Sequence, residues 1–263
     1  RIGLDAAYYT RISTNMIAPI TLPGSSGFQS TFDNFGKMSN KGVELALTLV
    51  PVRAKDFEWN LRGVFTKNVN KIEELKEGVQ RILLGSVLSD ISPYAIPGYA
   101  YGTLWGTKSA RDEQGNLLVN PANGQLIRDP NPGVIGDPNP DFKLGLSSGI
   151  NYKGFNLNVL FDYTKGGDLY SVTVNSLLGR GVTKDTEARN GGFVIPGYYG
   201  DANTGKPLLD EQGNKIPNTS VLSMNELYFG ETFAINSATE WQIYDATVWH
   251  LREVSLGYNL PNN

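Results

Sequence analysis

The sequence predicts an all-β, antiparallel fold, and three observations lead there. Several stretches of about ten residues alternate in side-chain character with a period of two. The connections between them are either very short or very long. Composition agrees: 30 Gly, 13 Tyr, 11 Phe and 4 Trp in 263 residues, with only 19% charged, favour strands and turns over helices. At 40% hydrophobic the chain has the makeup of folded protein.

In residues 2–12, Ile2, Leu4, Ala6, Tyr8 and Ile12 share one side, while Arg1, Asp5 and Arg11 share the other. The Gly/Ser/Pro/Asn-rich stretch 13–36 reads as a long loop. From 41 to 50, Val43, Leu45, Leu47 and Leu49 oppose Glu44, Ala46 and Thr48. After a tight connection at 51–56, Phe57, Trp59, Leu61 and Phe65 oppose Glu58, Asn60, Arg62 and Thr66, which makes a hairpin. Residues 69–140 then form a long segment with little period, with one short strand expected in 99–107. A second hairpin follows. Phe142, Leu144, Leu146, Ile150 and Tyr152 lead through a Lys153-Gly154 turn into Phe155, Leu157, Val159, Phe161 and Tyr163. Residues 166–246 are again long and irregular. In the final strand Trp249 and Leu251 are out of phase with Val254 and Leu256, so a bulge is expected near Arg252 or Glu253.

A soluble sandwich and a membrane barrel both alternate, and loop lengths favour the barrel. Short turns at one end and loops of roughly 25 to 80 residues at the other are the asymmetry of outer-membrane barrels, whose short turns face the periplasm. Strands of about ten residues match a tilted bilayer crossing. Aromatics cluster at the strand ends: Phe57, Trp59, Tyr152, Phe155 and Tyr258 beside the short turns, and Tyr8, Phe65, Phe142, Phe161 and Tyr163 at the loop ends. Asp5, Arg11, Glu44, Arg62, Lys143 and Asp162 put too much charge on one face for a sandwich interior, whereas a wet lumen accepts it. The face expected against lipid holds Val43, Leu45, Leu47, Trp59, Leu61, Leu144, Leu157 and Val159.

Several function classes are excluded or disfavoured. Net charge is −3 with no basic block, so nucleic acid is not an expected partner. Without cysteine there is no disulfide, thiolate metal site or Cys nucleophile. His250 is the single histidine and reads as a structural position, which leaves no His-based zinc site or triad. Glu73-Glu74 and Asp112-Glu113 read as solvated loop charge rather than glycosidase carboxylates. Asp201-Ala202-Asn203-Thr204-Gly205 resembles the start of a calcium loop but lacks the acidic residue that should follow, so a turn is the better reading. The recurrence of Asp112-Glu113-Gln114-Gly115-Asn116 as Asp210-Glu211-Gln212-Gly213-Asn214 suggests two similar hairpins. No catalytic residue, metal or cofactor is expected, and the chain is not read as an enzyme. Arg1 follows no initiator Met or signal peptide, and Pro261-Asn262-Asn263 stops at a turn, so both ends are expected to be cuts.

More specific segments occur in order. Met38-Ser39-Asn40-Lys41-Gly42-Val43-Glu44-Leu45, followed by Trp59 and Asn68-Val69-Asn70-Lys71-Ile72, resembles the "N-G-hydrophobic-E" hairpin of the SusC/RagA proteins of Bacteroidetes. Gly98-Tyr99-Ala100-Tyr101-Gly102 is similar to that family's aromatic-glycine segment. Ile135-Gly136-Asp137-Pro138-Asn139-Pro140-Asp141-Phe142 resembles its "G-x-P-x-P-x-F" strand start, and Tyr152-Lys153-Gly154-Phe155 its periplasmic turn. Gly179-Arg180-Gly181-Val182-Thr183 with Arg189, and the segment from Leu251 to Pro261, complete the likeness.

The resemblance implies a 22-stranded outer-membrane barrel, of which this chain is the C-terminal part with about six spanning strands and long extracellular loops. It implies that the plug domain, TonB box, carboxypeptidase-like leading domain and last strands lie outside the chain. The implied function is TonB-dependent import of glycans or oligosaccharides, or of peptides, with a SusD-like surface lipoprotein as lid. TonB-ExbB-ExbD would engage the missing N-terminal region. Among residues here, the loop aromatics Tyr99, Tyr101, Trp105, Tyr198, Tyr199 and Trp241 are the candidates for substrate or lid contact, with loop packing as the alternative role. The competing reading is a soluble β-rich glycan-binding or adhesin module.

Overall fold

The computed structural model describes residues 1–21, 24–28, 30–85, 90–229, 232–234 and 237–260. Six long strands form one sheet: β1 (Ile2–Thr21), β2 (Ser30–Arg53), β3 (Phe57–Leu75), β4 (Phe142–Tyr152), β5 (Phe155–Lys165) and β6 (Val248–Tyr258). They pair in chain order, each antiparallel to the next, as an up-and-down meander.

Pairing register makes the two faces explicit, because directly paired residues point to the same side. One row across the sheet reads Leu4, Leu47, Gly63, Leu146 and Phe161; the next reads Ala6, Leu45, Phe65, Leu144, Tyr163 and Trp249. All eight residues expected against lipid fall on this apolar face. None of the described residues covers it: Leu4 is 68% and Leu256 74% exposed. On this face the Trp59 indole donates to Ser148 Oγ at 3.1 Å.

The opposite face carries Asp5, Glu44, Arg62, Lys143, Asp162 and Glu253 among Gly, Ala, Ser and Thr. Arg252 donates to both oxygens of Asp162, from Nε at 2.7 Å and Nη2 at 2.8 Å. His250 lies on the same face, its Nδ1 3.5 Å from Asp162 Oδ1, so it occupies a polar position beside a carboxylate. The bulge falls where the phase change placed it, with Leu160 opposite Glu253 and Phe161 opposite Leu251, leaving Arg252 as the extra residue.

Aromatic side chains meet across strands at both ends. Phe65, Phe142, Tyr163 and Trp249 form a continuous row with ring centroids 5.6, 6.0 and 4.3 Å apart. At the turn end Phe57 meets Tyr152 and Phe155 meets Tyr258. The turn at Lys153 and Gly154 has positive φ at both residues (45° and 87°), the conformation a two-residue hairpin prefers.

Two expectations need correction. Residues 13–36 are not a loop: β1 and β2 run on as a ladder from Ser13–Met38 to Thr21–Ser30, closed by a short 3₁₀ turn at Gly24–Ser26. Asn15, in the left-handed region at φ 55°, sits in a bulge that interrupts the alternation and so hides the strand in the sequence. Segments 69–140 and 166–246 are not irregular either. They contain small sheets, among them four short strands (Ile82–Leu83, Ser92–Ala95, Thr103–Gly106, Gly133–Gly136), and the helices α1 (Val172–Gly179) and α2 (Met224–Tyr228). Strands of two to four residues are too short to show a period.

The buried core lies in these segments and where they meet β3. Ile72, Ile82 and Ala95 form one cluster at the end of β3. Val119, Leu126, Ile195, Leu222 and Leu227 form another, in which the two long segments interpenetrate.

Candidate functional site

The folded segments at one end of the sheet are where a soluble ligand or partner can meet polar and aromatic side chains, and hairpins organise them. In the first DEQGN turn, Asp112 Oδ1 accepts from the Gln114 and Asn116 backbone N–H groups at 3.0 and 2.8 Å; in the second, Asp210 Oδ1 accepts from Gln212 and Asn214 at 2.9 and 2.8 Å. Gly115 and Gly213 supply positive φ (83° and 84°) in both. The repeat is therefore two copies of one Asx-stabilised hairpin.

The two hairpins are tied together. Lys215 of the second donates to Asp112 Oδ2 at 2.5 Å and also to Gln114 of the first. The Asp112 side chain is only 2% exposed, so it is not the solvated charge its sequence context suggested. The bonded Lys215 ammonium, with help from Asn116, holds the Asp112 carboxyl well below the usual carboxylate range. Asp201 forms a turn of the same kind, accepting from the Asn203 N–H at 2.8 Å ahead of Gly205 at φ 64°. Among the described residues no group of three or more His, Cys, Asp or Glu side chains is placed to hold a metal.

The six candidate aromatics separate into distinct environments. Trp241 is half-buried: its indole donates to Ser109 Oγ at 2.7 Å and its ring meets Phe233 edge-on at 4.7 Å. Tyr199 packs against the larger loop cluster with its hydroxyl 2.9 Å from Ser220 Oγ. Tyr198 packs against Ala110, Leu118 and Ile127, and its ring carries Lys215 Nζ at 5.6 Å. These three join the long segments to each other. Tyr99 and Tyr101 stand open at 48% and 43% exposure. Trp105 is intermediate, set edge-on to Tyr94 with the Arg81 guanidinium 4.6 Å over its ring.

Sequence reasoning missed what the motif asparagines do. Asn70 donates to Asn139 Oδ1 at 3.0 Å and accepts from the Tyr101 N–H at 2.6 Å, while Asn139 donates back to the Tyr101 carbonyl at 3.1 Å. Asp168 accepts from the Asp137 N–H at 2.7 Å. This network fastens Gly98-Tyr99-Ala100-Tyr101-Gly102 to β3 and to the start of β4, and Gly98 N–H reaches Ile72 O at 2.8 Å. The open faces of Tyr99 and Tyr101 are thus held on an anchored backbone. Three motifs far apart in sequence converge here, which no single-segment pattern could reveal. Similarly, Arg189 donates to the Gly181 carbonyl, and a Cβ on Gly181 would lie 2.7 Å from its Nη1.

An uncovered apolar face bounded by aromatic rows, a charged opposite face and loops folded at one end define a class: the wall of an outer-membrane β-barrel. In sequence the chain is similar to TonB-dependent receptors, SusC among them, which agrees with a place for the sheet in the outer membrane. TonB-dependent receptor P3 of Formosa agariphila is 26% identical over 285 residues, covering 100% of this chain and 26% of its own length. TonB-dependent receptor P26 of the same organism is 28% identical over 235 residues (79% of this chain, 24% of its own). TonB-dependent receptor SusC of Bacteroides thetaiotaomicron is 25% identical over 169 residues (59% and 17%). The chain spans about a quarter of the length of the first two relatives. The fold is also that of the RagAB peptide importer: its closed-closed and open-open structures superpose on the whole chain with TM-scores of 0.63 and 0.62, at 20% and 19% identity, over 27% of the matched chain. No family model matches.

Proposed function

We propose that the chain supplies wall and extracellular loops to a TonB-dependent importer of oligosaccharides, with peptides as the other cargo class, that works with a SusD-like surface lipoprotein. The observation that supports this most is the combination, in one sheet, of an uncovered apolar face with loops that fold at one end only. The short turns at 54–56 and 153–154 then face the periplasm, and the loops face the lid. No residue here performs covalent chemistry. The chain's part is to enclose a polar lumen and to present Tyr99 and Tyr101 on a backbone fixed by Asn70 and Asn139. Aromatic faces of this kind stack on sugar rings or on peptide side chains with little entropy lost. Energy coupling through TonB-ExbB-ExbD belongs to regions outside these residues. RagAB is described as a peptide importer, which keeps peptides among the cargo to be tested.

In the full-length transporter, Tyr101→Ala and Trp105→Ala are expected to weaken uptake or lid association while heat-modifiable barrel assembly stays normal. Labelled oligosaccharides and labelled peptides, each tested at limiting concentration, distinguish the cargo. Parental uptake of both by both variants, with the lid bound as before, would remove this segment from the substrate and lid surface.

A further inference from the structure

The apolar face is not smooth. Gly63 sits in the middle of the row Leu4, Leu47, Gly63, Leu146, Phe161, and a Cβ added there would meet no atom within 4 Å. Over Gly63 lies an open slot of about 480 Å³, walled mainly by Leu45, Leu47, Phe65, Leu144, Leu146 and Phe161. At its loop-ward end stands the row Phe65, Phe142, Tyr163, Trp249.

Beyond that row the same face turns basic. Register places Lys67 opposite Val43, Lys41 opposite Val69 and Lys165 opposite Phe142, so all three share the parity of the apolar side chains. Lys41 is diagonal to Lys67, a separation of about 7–8 Å that long side chains span. None of the three forms an ion pair among the described residues. Glu73 lies near enough to Lys41, and Asp245 to Lys165, for their charges to interact without contact. Lys67 is exposed. Lys71, opposite Ser39, and Glu73, bonded by Ser39, follow on the same face, so its loop-ward end is charged, as suits the zone where hydrocarbon gives way to headgroups.

Resting on the reading of this face as lipid-facing, we propose that it holds one phosphate-bearing lipid of the surrounding leaflet. Its phosphate lies at Lys67, flanked by Lys41 and Lys165, and an acyl chain passes the aromatic row into the slot over Gly63. The spacing fits: four residues of β3 separate Gly63 from Lys67, about 13 Å along the strand. Both ends of the lipid are then matched, the phosphate by ammonium charge and the chain by close contact that a flat wall lacks.

The test uses the full-length transporter in non-ionic detergent, with monophosphorylated lipid A and its dephosphorylated form as probes, read by native mass spectrometry. The parent is expected to retain the phosphorylated lipid about tenfold better than the dephosphorylated one. K67Q/K165Q should abolish that preference, and Gly63→Leu, which fills the slot, should weaken retention of both lipids. Gly63→Ala provides a milder filling should the leucine impair assembly, and K153Q at the turn end should change nothing. Equal retention of the two lipids by the parent, or parental retention by the lysine pair, overturns the proposal. A spin label at Val159, outside the slot, separates this failure from that of the underlying reading. If lipid-soluble quenchers reach it, the wall assignment stands alone; if only aqueous quenchers do, both fall.

Discussion

Tyr9 lies flat over Gly42 on the neighbouring strand, and its hydroxyl donates to Asn68 Oδ1 at 3.0 Å on the strand beyond. A Cβ at Gly42 would fall 2.3 Å from the ring, so the glycine of the Asn40-Lys41-Gly42-Val43-Glu44 segment is required by a side chain and not by its own backbone. Gly42→Ala should displace the ring and destabilise by about 1–3 kcal/mol, and Tyr9→Phe, which loses only the hydrogen bond, by about 1 kcal/mol, measured by refolding of the full-length barrel. The glycine was legible as part of a motif. Its partner was not, because Tyr9 meets it only through the register of two strands. Asp112 makes the same point in the loops, where sequence suggested solvated charge and Lys215, about a hundred residues away, proves to be its partner. The carboxyl is held below its ordinary value, so the latch is fully present above the unfolded pKa of about 3.9 and is lost as pH falls through the depressed folded value. Amide exchange in 110–118 and 208–216 is therefore expected to be equally protected at pH 7 and pH 5 and to loosen only below about pH 4. Lys215→Gln should loosen it already at pH 7; unchanged protection in that variant would show the latch to be idle.

At the scale of elements, the strands of the sheet were legible because they are long enough, eleven residues or more, to show alternation on each side of any slip. The bulge at Arg252 was legible as a phase slip. The upper ladder of β1 and β2 and the small loop sheets were not, since bulges, prolines and very short strands erase a two-residue period. The same register that defines the faces makes them testable. Leu45→Arg and Val159→Arg place charge near mid-strand on the apolar face and should each cost about 2–4 kcal/mol if they lie near the bilayer midplane. Ala46→Arg, one residue along and on the face of Asp5 and Val64, should cost clearly less. Reversal of that order in folding titrations into detergent or lipid would exchange the two faces.

The whole molecule divides its stability between two kinds of structure. Its loops bury apolar clusters of their own, with Ile91, Leu118 and Val119 fully shielded, whereas the sheet buries little within the chain. Among the described residues β1 and β6 each pair on one side only, and a sheet edge left unpaired in hydrocarbon lacks partners for its backbone N–H and C=O groups. Neither deficit is met by the described residues; on the proposed reading, lipid would cover the apolar face and neighbouring strands would pair the edges. Produced alone in detergent-free buffer, the chain is accordingly expected to associate or aggregate through β1, β6 and the Leu4–Leu256 face. The loop segments, having their own cores and the Asp112–Lys215 latch, should retain more amide protection than the sheet does. A monodisperse, folded monomer with its sheet as protected as its loops would be incompatible with a membrane wall and would favour a soluble β-rich module.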